Sequence, residues 1–126
     1  MTDSRETLAQ FLHGALATKR ERLCGFATKA KTQDKFLAEL FHGFGEYVAA
    51  SVVVADLPER AWSSPALVFL GSGVFGESFA SLREAWENVD RQQGALAIST
   101  DGRFGVWCDH YEFDERVCMA LSPGDG

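Results

Sequence analysis

The residues with the clearest chemical capacity are Cys108, Asp109 and His110, within the stretch VWCDHYEF. An imidazole beside a thiol can take its proton and leave a nucleophilic thiolate. On an extended strand Cys108 and His110 share one face, while Asp109 points to the other. Two residues along a strand span about 7 Å, which is long for direct proton transfer between the side chains. We therefore treat Cys108 and His110 as catalytic candidates whose spacing does not by itself require catalysis.

Glu77 is the third catalytic candidate, because it could form an acid–base pair with Asp101 or Asp109. The chain carries 18 acidic residues, so chance pairs of carboxylates are common, and no spacing demands this one.

Histidine and cysteine also suggest a metal site, in which Cys108 and His110 would be joined by His13 or His42. No two of these residues have the spacing of a helical or knuckle zinc site. His13 and His42 lie at the edges of apolar helical stripes, as boundary or surface residues do. We expect no metal and no cofactor.

The glycines of GSGVFG, residues 71–76, match the G-x-G-x-x-G pattern of a dinucleotide-binding loop. Dinucleotide-binding loops of this type are followed by an acidic residue about 20 residues later, and here Asp101 lies 25 residues after Gly76. However, the capping box from Ser81 to Glu84 starts the next helix only near residue 82. Asp101-Gly102 is moreover a hairpin signal, which returns the chain antiparallel. We interpret residues 71–73 as a hairpin turn and Gly76 as a bulge in the returning strand.

An acidic and aromatic segment, DHYEFDE, covers residues 109–115. It is either a solvated connection between two strands or a surface that binds a partner. Dense carboxylates would steer a partner with a basic surface, and the aromatic rings would supply contact area. Trp62, in a segment bounded by Pro58 and Pro65, either joins that surface or fills the core. The partner-binding candidates are Asp109, Tyr111, Glu112, Phe113, Asp114, Glu115 and Trp62.

Charge is distributed unevenly along the chain. The net charge is −6, but residues 1–36 hold seven basic and four acidic residues, and residues 37–126 hold five and fourteen. The acidic majority argues against a nucleic-acid protein with a basic surface. The basic segment 19–35 is either an ordinary solvated helix end and loop or a phosphate-binding stretch.

Length and composition predict a single domain over residues 1–126, with 46% hydrophobic residues to build a core. No apolar run approaches the roughly 20 residues of a membrane span. The N-terminus lacks the pattern of a signal peptide. Three cysteines without C-x-x-C spacing argue against a disulfide framework. We expect buried thiols and a cytoplasmic location.

The apolar periodicities predict the order α-α-β-β-α-β-β-β. A first helix covers roughly 4–23, and a second follows Thr32. Val52–Val54 is a short strand or the tail of that helix. With Asp101-Gly102 as a two-residue turn, Ser99 pairs with Phe104 and Leu96 with Trp107, and both faces of this hairpin are apolar. The other elements are strand 66–70, a strand after residue 74, helix 82–90 and strand 116–121.

The predicted fold is therefore α+β, with an N-terminal helical pair packed on a mainly antiparallel sheet of about four to five strands and one further short helix. Two functions stay open. The first is a small acidic protein that binds another protein, as an immunity-type inhibitor or an adaptor. The second is a small-molecule-binding protein or enzyme with a pocket between helices and sheet, around Glu77, Trp107, Cys108 and His110.

Overall fold

A computed structural model of the chain describes residues 4–18, 20–27, 33–70, 74–89, 94–108 and 118–123. The described helices are α1 (Ser4–Ala15), α2 (Arg20–Ala27), α3 (Gln33–Tyr47), α4 (Glu59–Trp62) and α5 (Leu82–Asn88), with a short 3-10 helix at Ala50–Val52. The described strands are β1 (Val53–Val54), β2 (Ala66–Leu70), β3 (Phe75–Phe79), β4 (Ala95–Ser99), β5 (Gly105–Cys108) and β6 (Cys118–Leu121).

The strands form one sheet in the order β1-β6-β5-β4-β2-β3, and every neighbouring pair runs antiparallel. This confirms the α+β class with helices first. The described sheet has six strands, against the predicted four to five, because Val53–Val54 pairs with β6 and so takes the strand alternative rather than the helix-tail one. The segment bounded by Pro58 and Pro65 contains the additional helix α4.

The sheet separates two apolar clusters. The helical face is the face covered by α1, α2 and α3, and its strand residues are Leu67, Phe69, Leu96, Ile98, Trp107 and Leu121. The second face is covered by the shorter helices α4 and α5, and its strand residues are Ala66, Val68, Ala97 and Val106, joined by Phe104 just before β5. Alternation along each strand sends neighbouring side chains into different clusters.

Aromatic rings pack tightly on the helical face. The ring of Phe44, from α3, lies 4.4 Å from that of Trp107, centroid to centroid. The ring of Phe11, from α1, lies directly over Gly105, where no side chain stands in its way. Helices and sheet are therefore held together by interlocked side chains, which require dense and specific packing.

The predicted first helix, 4–23, is wrong, because the chain forms two helices with a break between them. Around the break the backbone pairs with the end of α3. Ala49 N–H donates to Ala15 O at 2.8 Å, and Ala17 N–H donates to Tyr47 O at 2.8 Å. Long-range hydrogen bonds thus replace the helical ones at this point, although the apolar spacing continues through it.

The β4–β5 hairpin has the predicted register, with Leu96 opposite Trp107 and Ile98 opposite Gly105. Its turn begins one residue earlier than predicted. Gly102 N–H donates to Ser99 O at 2.9 Å, and Gly102 has a φ of 74°. Glycine adopts this left-handed conformation without steric cost, which explains its place at the end of the turn.

Strands β2 and β3 also form the predicted hairpin, since Leu70 N–H donates to Val74 O at 2.9 Å. The turn itself, residues 71–73, lies outside the described residues. Gly76 has a φ of 79°, and the register shifts between Val68 and Phe69, so the predicted bulge is confirmed.

Helix α5 confirms the predicted cap that separates it from the glycine-rich stretch. It begins at Leu82, and the Ser81 hydroxyl accepts a hydrogen bond from Glu84 N–H at 3.1 Å.

Gly105→Ala should destabilise the fold by about 1–3 kcal/mol, the usual cost of overpacking. The new methyl carbon would lie 2.6 Å from Phe11 Cζ and 3.2 Å from Ala97 O, so the ring has to move. The matched control is Gly25→Ala in α2, where nothing lies within 4 Å. That change should leave stability unchanged or raise it by up to about 1 kcal/mol. Urea unfolding of both variants measures the difference, and equal midpoints would contradict this packing account.

Candidate functional site

Cys108 is the last residue of β5 and is completely buried as a thiol. Strand alternation places it on the second face with Val106, whereas Trp107 belongs to the helical face. Asp109 and His110 lie outside the described residues. The helical face and Cys108 are therefore on opposite sides of the sheet.

Glu77 is exposed on the edge strand β3, directly opposite Val68 of the second face. Trp107, Cys108 and Glu77 therefore do not line one space between helices and sheet. Asp101 lies beyond the end of β4, and two strand spacings of about 4.8 Å each separate β4 from β3. The structure does not bring Glu77 and Asp101 together.

The Asp101 carboxylate is engaged within its own turn. It accepts hydrogen bonds from Ser99 Oγ at 2.5 Å and from Arg103 N–H at 3.0 Å. The Ser99 hydroxyl also accepts from Phe104 N–H at 3.1 Å, so it bridges the carboxylate and the first residue after the turn. This arrangement is that of a turn-stabilising network, in which an aspartate satisfies nearby backbone donors.

Cys24 is a half-buried thiol in α2, packed against the cluster of the helical face. Its Sγ donates to Ala9 O at 3.4 Å. Burial raises the pKa of the Cys24 thiol, and the positive charge of Arg20 partly opposes that rise. A raised pKa keeps Cys24 protonated near neutral pH and so slows its reaction.

The two histidines offered as metal ligands lie on different helices. His13 is an exposed residue of α1, and His42 belongs to α3. Among the residues that the structure describes, no three His, Cys, Asp or Glu side chains cluster as a metal site requires.

The acidic segment 109–115 lies outside the described residues, but the strand ends that hold it are described. Cys108 ends β5, Cys118 begins β6, and the two residues are opposite each other in the sheet. The nine residues 109–117 thus leave and rejoin the sheet at adjacent strands, at one end of the sheet.

Trp62 ends α4 and is half-buried against the second-face cluster. It precedes Ala66 by four residues, and Ala66 begins β2 at the Ser99 end of the sheet. The acidic segment is attached level with Leu70, at the far end of β2, about 13 Å away along the strand. Of the two roles considered for Trp62, its packing matches the core-filling one.

The basic segment makes contacts within the protein. Arg22 Nε lies 2.8 Å from a Glu39 carboxylate oxygen, and its guanidinium stands 5.0 Å from the centre of the Phe26 ring. Arg20 donates to Leu16 O at 2.8 Å and 3.1 Å. These partners are those of an ordinary helix surface.

Sequence reasoning treated the cysteines as isolated thiols and missed the position of Cys118 opposite Cys108. No local signal reveals this pairing, because a connection of nine residues does not set the register of the strands it joins.

Comparisons of the chain with protein families, with curated proteins and with solved structures found no match. Within the described part of the chain, every helix is too short or too polar to cross a membrane.

Alkylation by iodoacetamide should separate the described thiols. Cys24 should react more slowly than a free thiol, and its rate should rise only at a higher pH, because its pKa is raised. Arg20→Gln should slow it further, since the charge that favours the thiolate is lost. Arg22→Gln is the control and should leave the Cys24 rate unchanged.

Cys108, completely buried, should react slowest. Peptide mass spectrometry measures each rate, and fast labelling of Cys108 would revive the nucleophile hypothesis.

Proposed function

We propose that the protein acts by binding another protein, and that the acidic segment 109–115 forms the centre of the binding surface. The observation that carries the proposal is the anchoring of this segment. Its two ends are adjacent paired strands, and all the residues of β4 and β5 are buried. Binding loops are commonly held in this way by a rigid scaffold.

The negative charge of the segment supports a partner with a basic surface. Residues 109–117 contain four acidic residues and one basic residue, together with Tyr111 and Phe113. Carboxylates of this density attract a basic surface and accelerate encounter with it. Tyrosine and phenylalanine add apolar contact area of the kind enriched in protein interfaces.

The packing between helices and sheet favours this role over a pocket protein. The alternative hypothesis places its pocket between the helices and the sheet. In the described residues that space holds the rings of Phe11, Phe44 and Trp107, all completely buried. Cys108 faces the other side of the sheet, away from those rings.

Within this proposal the protein is an inhibitor of the immunity type or an adaptor, and it works in the cytoplasm. An odd number of cysteines without paired spacing is typical of a reducing compartment. An inhibitor that must meet a basic partner rapidly benefits from a localised acidic surface.

Two variants with equal charge change test the proposal. The first is Glu112→Gln with Asp114→Asn and Glu115→Gln, within the acidic segment. The control neutralises three exposed acids elsewhere, with the changes Glu59→Gln, Glu84→Gln and Glu87→Gln. Partner capture from native lysate should fall at least tenfold for the first variant and stay within about twofold for the control. Capture by the unchanged protein should also weaken as salt is added.

A second variant tests the aromatic contribution. Tyr111→Ala with Glu112→Lys should abolish capture, while the urea unfolding midpoint stays unchanged. If both this pair and the triple variant captured the same proteins as the unchanged chain, the acidic segment would not be the binding surface.

A further inference from the structure

The two cysteines at the ends of the acidic segment occupy opposed positions in the sheet. Cys108 of β5 is the register partner of Cys118 of β6. Directly opposed residues of antiparallel strands lie on the same face. Their separation depends on which of two kinds of pair they form. A hydrogen-bonded pair has a Cα–Cα distance of about 5.5 Å, and a non-hydrogen-bonded pair about 4.5 Å with closer side chains.

The β4–β5 hairpin shows in which direction the backbone groups of Cys108 point, and so which kind of pair Cys108 forms with Cys118. Ser99 N–H donates to Phe104 O at 2.9 Å, which makes Ser99 and Phe104 a hydrogen-bonded pair. Such pairs alternate along antiparallel strands. The pair Ala95 and Cys108, four residues further along each strand, is therefore also hydrogen-bonded. The backbone groups of Cys108 thus point towards β4 and away from β6.

The pairing of β1 with β6 shows in the same way the direction in which the backbone groups of Cys118 point. Ser122 N–H donates to Val52 O at 2.8 Å, next to the register pair Val53 and Leu121. By the same alternation the backbone groups of Ser122, Ala120 and Cys118 point to the β1 side. Both strands therefore turn their backbone groups away from each other at Cys108 and Cys118, and the two residues form a non-hydrogen-bonded pair.

We propose that Cys108 and Cys118 form a reversible redox site, which closes to an intramolecular disulfide when a small disulfide such as oxidised glutathione is present. A Cα–Cα distance of about 4.5 Å lies within the range of about 4.4–6.8 Å that disulfides span. Because Cys108 is completely buried, the Cys118 thiolate makes the first attack on the glutathione disulfide and releases one glutathione thiol. The second cysteine then attacks the mixed disulfide, forms the protein disulfide and releases the other. The two cysteines lose two protons and two electrons, and one oxidised glutathione becomes two reduced molecules.

Cys24 takes no part, because it packs against the helical-face cluster, on the other side of the sheet from Cys108. The odd cysteine count is thus one pair and one separate thiol. This site is independent of the proposed binding role.

The test is a count of thiols in the folded, reduced protein before and after incubation with oxidised glutathione. Remaining thiols are blocked with iodoacetamide in urea, and the products are read by intact mass and peptide mapping. The unchanged chain should lose two of its three thiols, with a mass lower by two hydrogens and a peptide linking Cys108 to Cys118. Dithiothreitol should restore all three. Cys24→Ser should behave identically and end with no thiol.

Two controls keep the test decisive. Cys118→Ser should form no internal disulfide, and it should keep its thiols or carry glutathione. Oxidation of the unchanged chain in urea should give all three possible pairings, in contrast to the single pairing of the folded protein. The proposal is overturned if the folded chain keeps three thiols, retains bound glutathione, links Cys24 to another cysteine, or pairs its cysteines as the unfolded chain does. The measurements on the unchanged chain decide the matter even if Cys118→Ser does not fold.

Discussion

Burial of the β4–β5 hairpin on both faces is the constraint that organises this molecule. Every described residue of these two strands is buried, and alternate side chains enter different apolar clusters. A strand pair of this kind needs cover on each side, because either exposed face would leave large apolar surface in water. Three helices supply the cover on one face and two short helices supply it on the other. The largest fully buried rings, among them Phe11, Phe44 and Trp107, lie on the helical face.

Local signals made much of this architecture predictable. The Asp101-Gly102 dipeptide and the flanking apolar residues were sufficient for the register of β4 and β5, since a short loop leaves little freedom of pairing. Ser81 and Glu84 marked the start of α5, and Gly76 marked the bulge. The error in the first helix involves long-range backbone bonds. The end of α1 is decided by bonds to Tyr47 and Ala49, some thirty residues away, which helical spacing cannot reveal.

The candidate site was predictable only in part, for a related physical reason. Cys108 was selected from its chemistry, but its burial and its face depend on the sheet that surrounds it. Its opposed partner, Cys118, follows from the pairing of β5 with β6, which a long polar connection leaves open. Asp101 was considered both as a turn residue and as an acid–base partner of Glu77, and its carboxylate is bonded within the turn by Ser99 and Arg103. Residue type shows what a group can do, and tertiary pairing decides whether it is placed to do it.

The pairing of β1 with β6 has a consequence for folding while the chain is being synthesised. Val53–Val54 is the first of the described strands in chain order, yet its neighbour in the sheet is made more than sixty residues later. β1 therefore cannot make its pairing with β6 until β6 has been synthesised. Contacts so distant in sequence are slow to close.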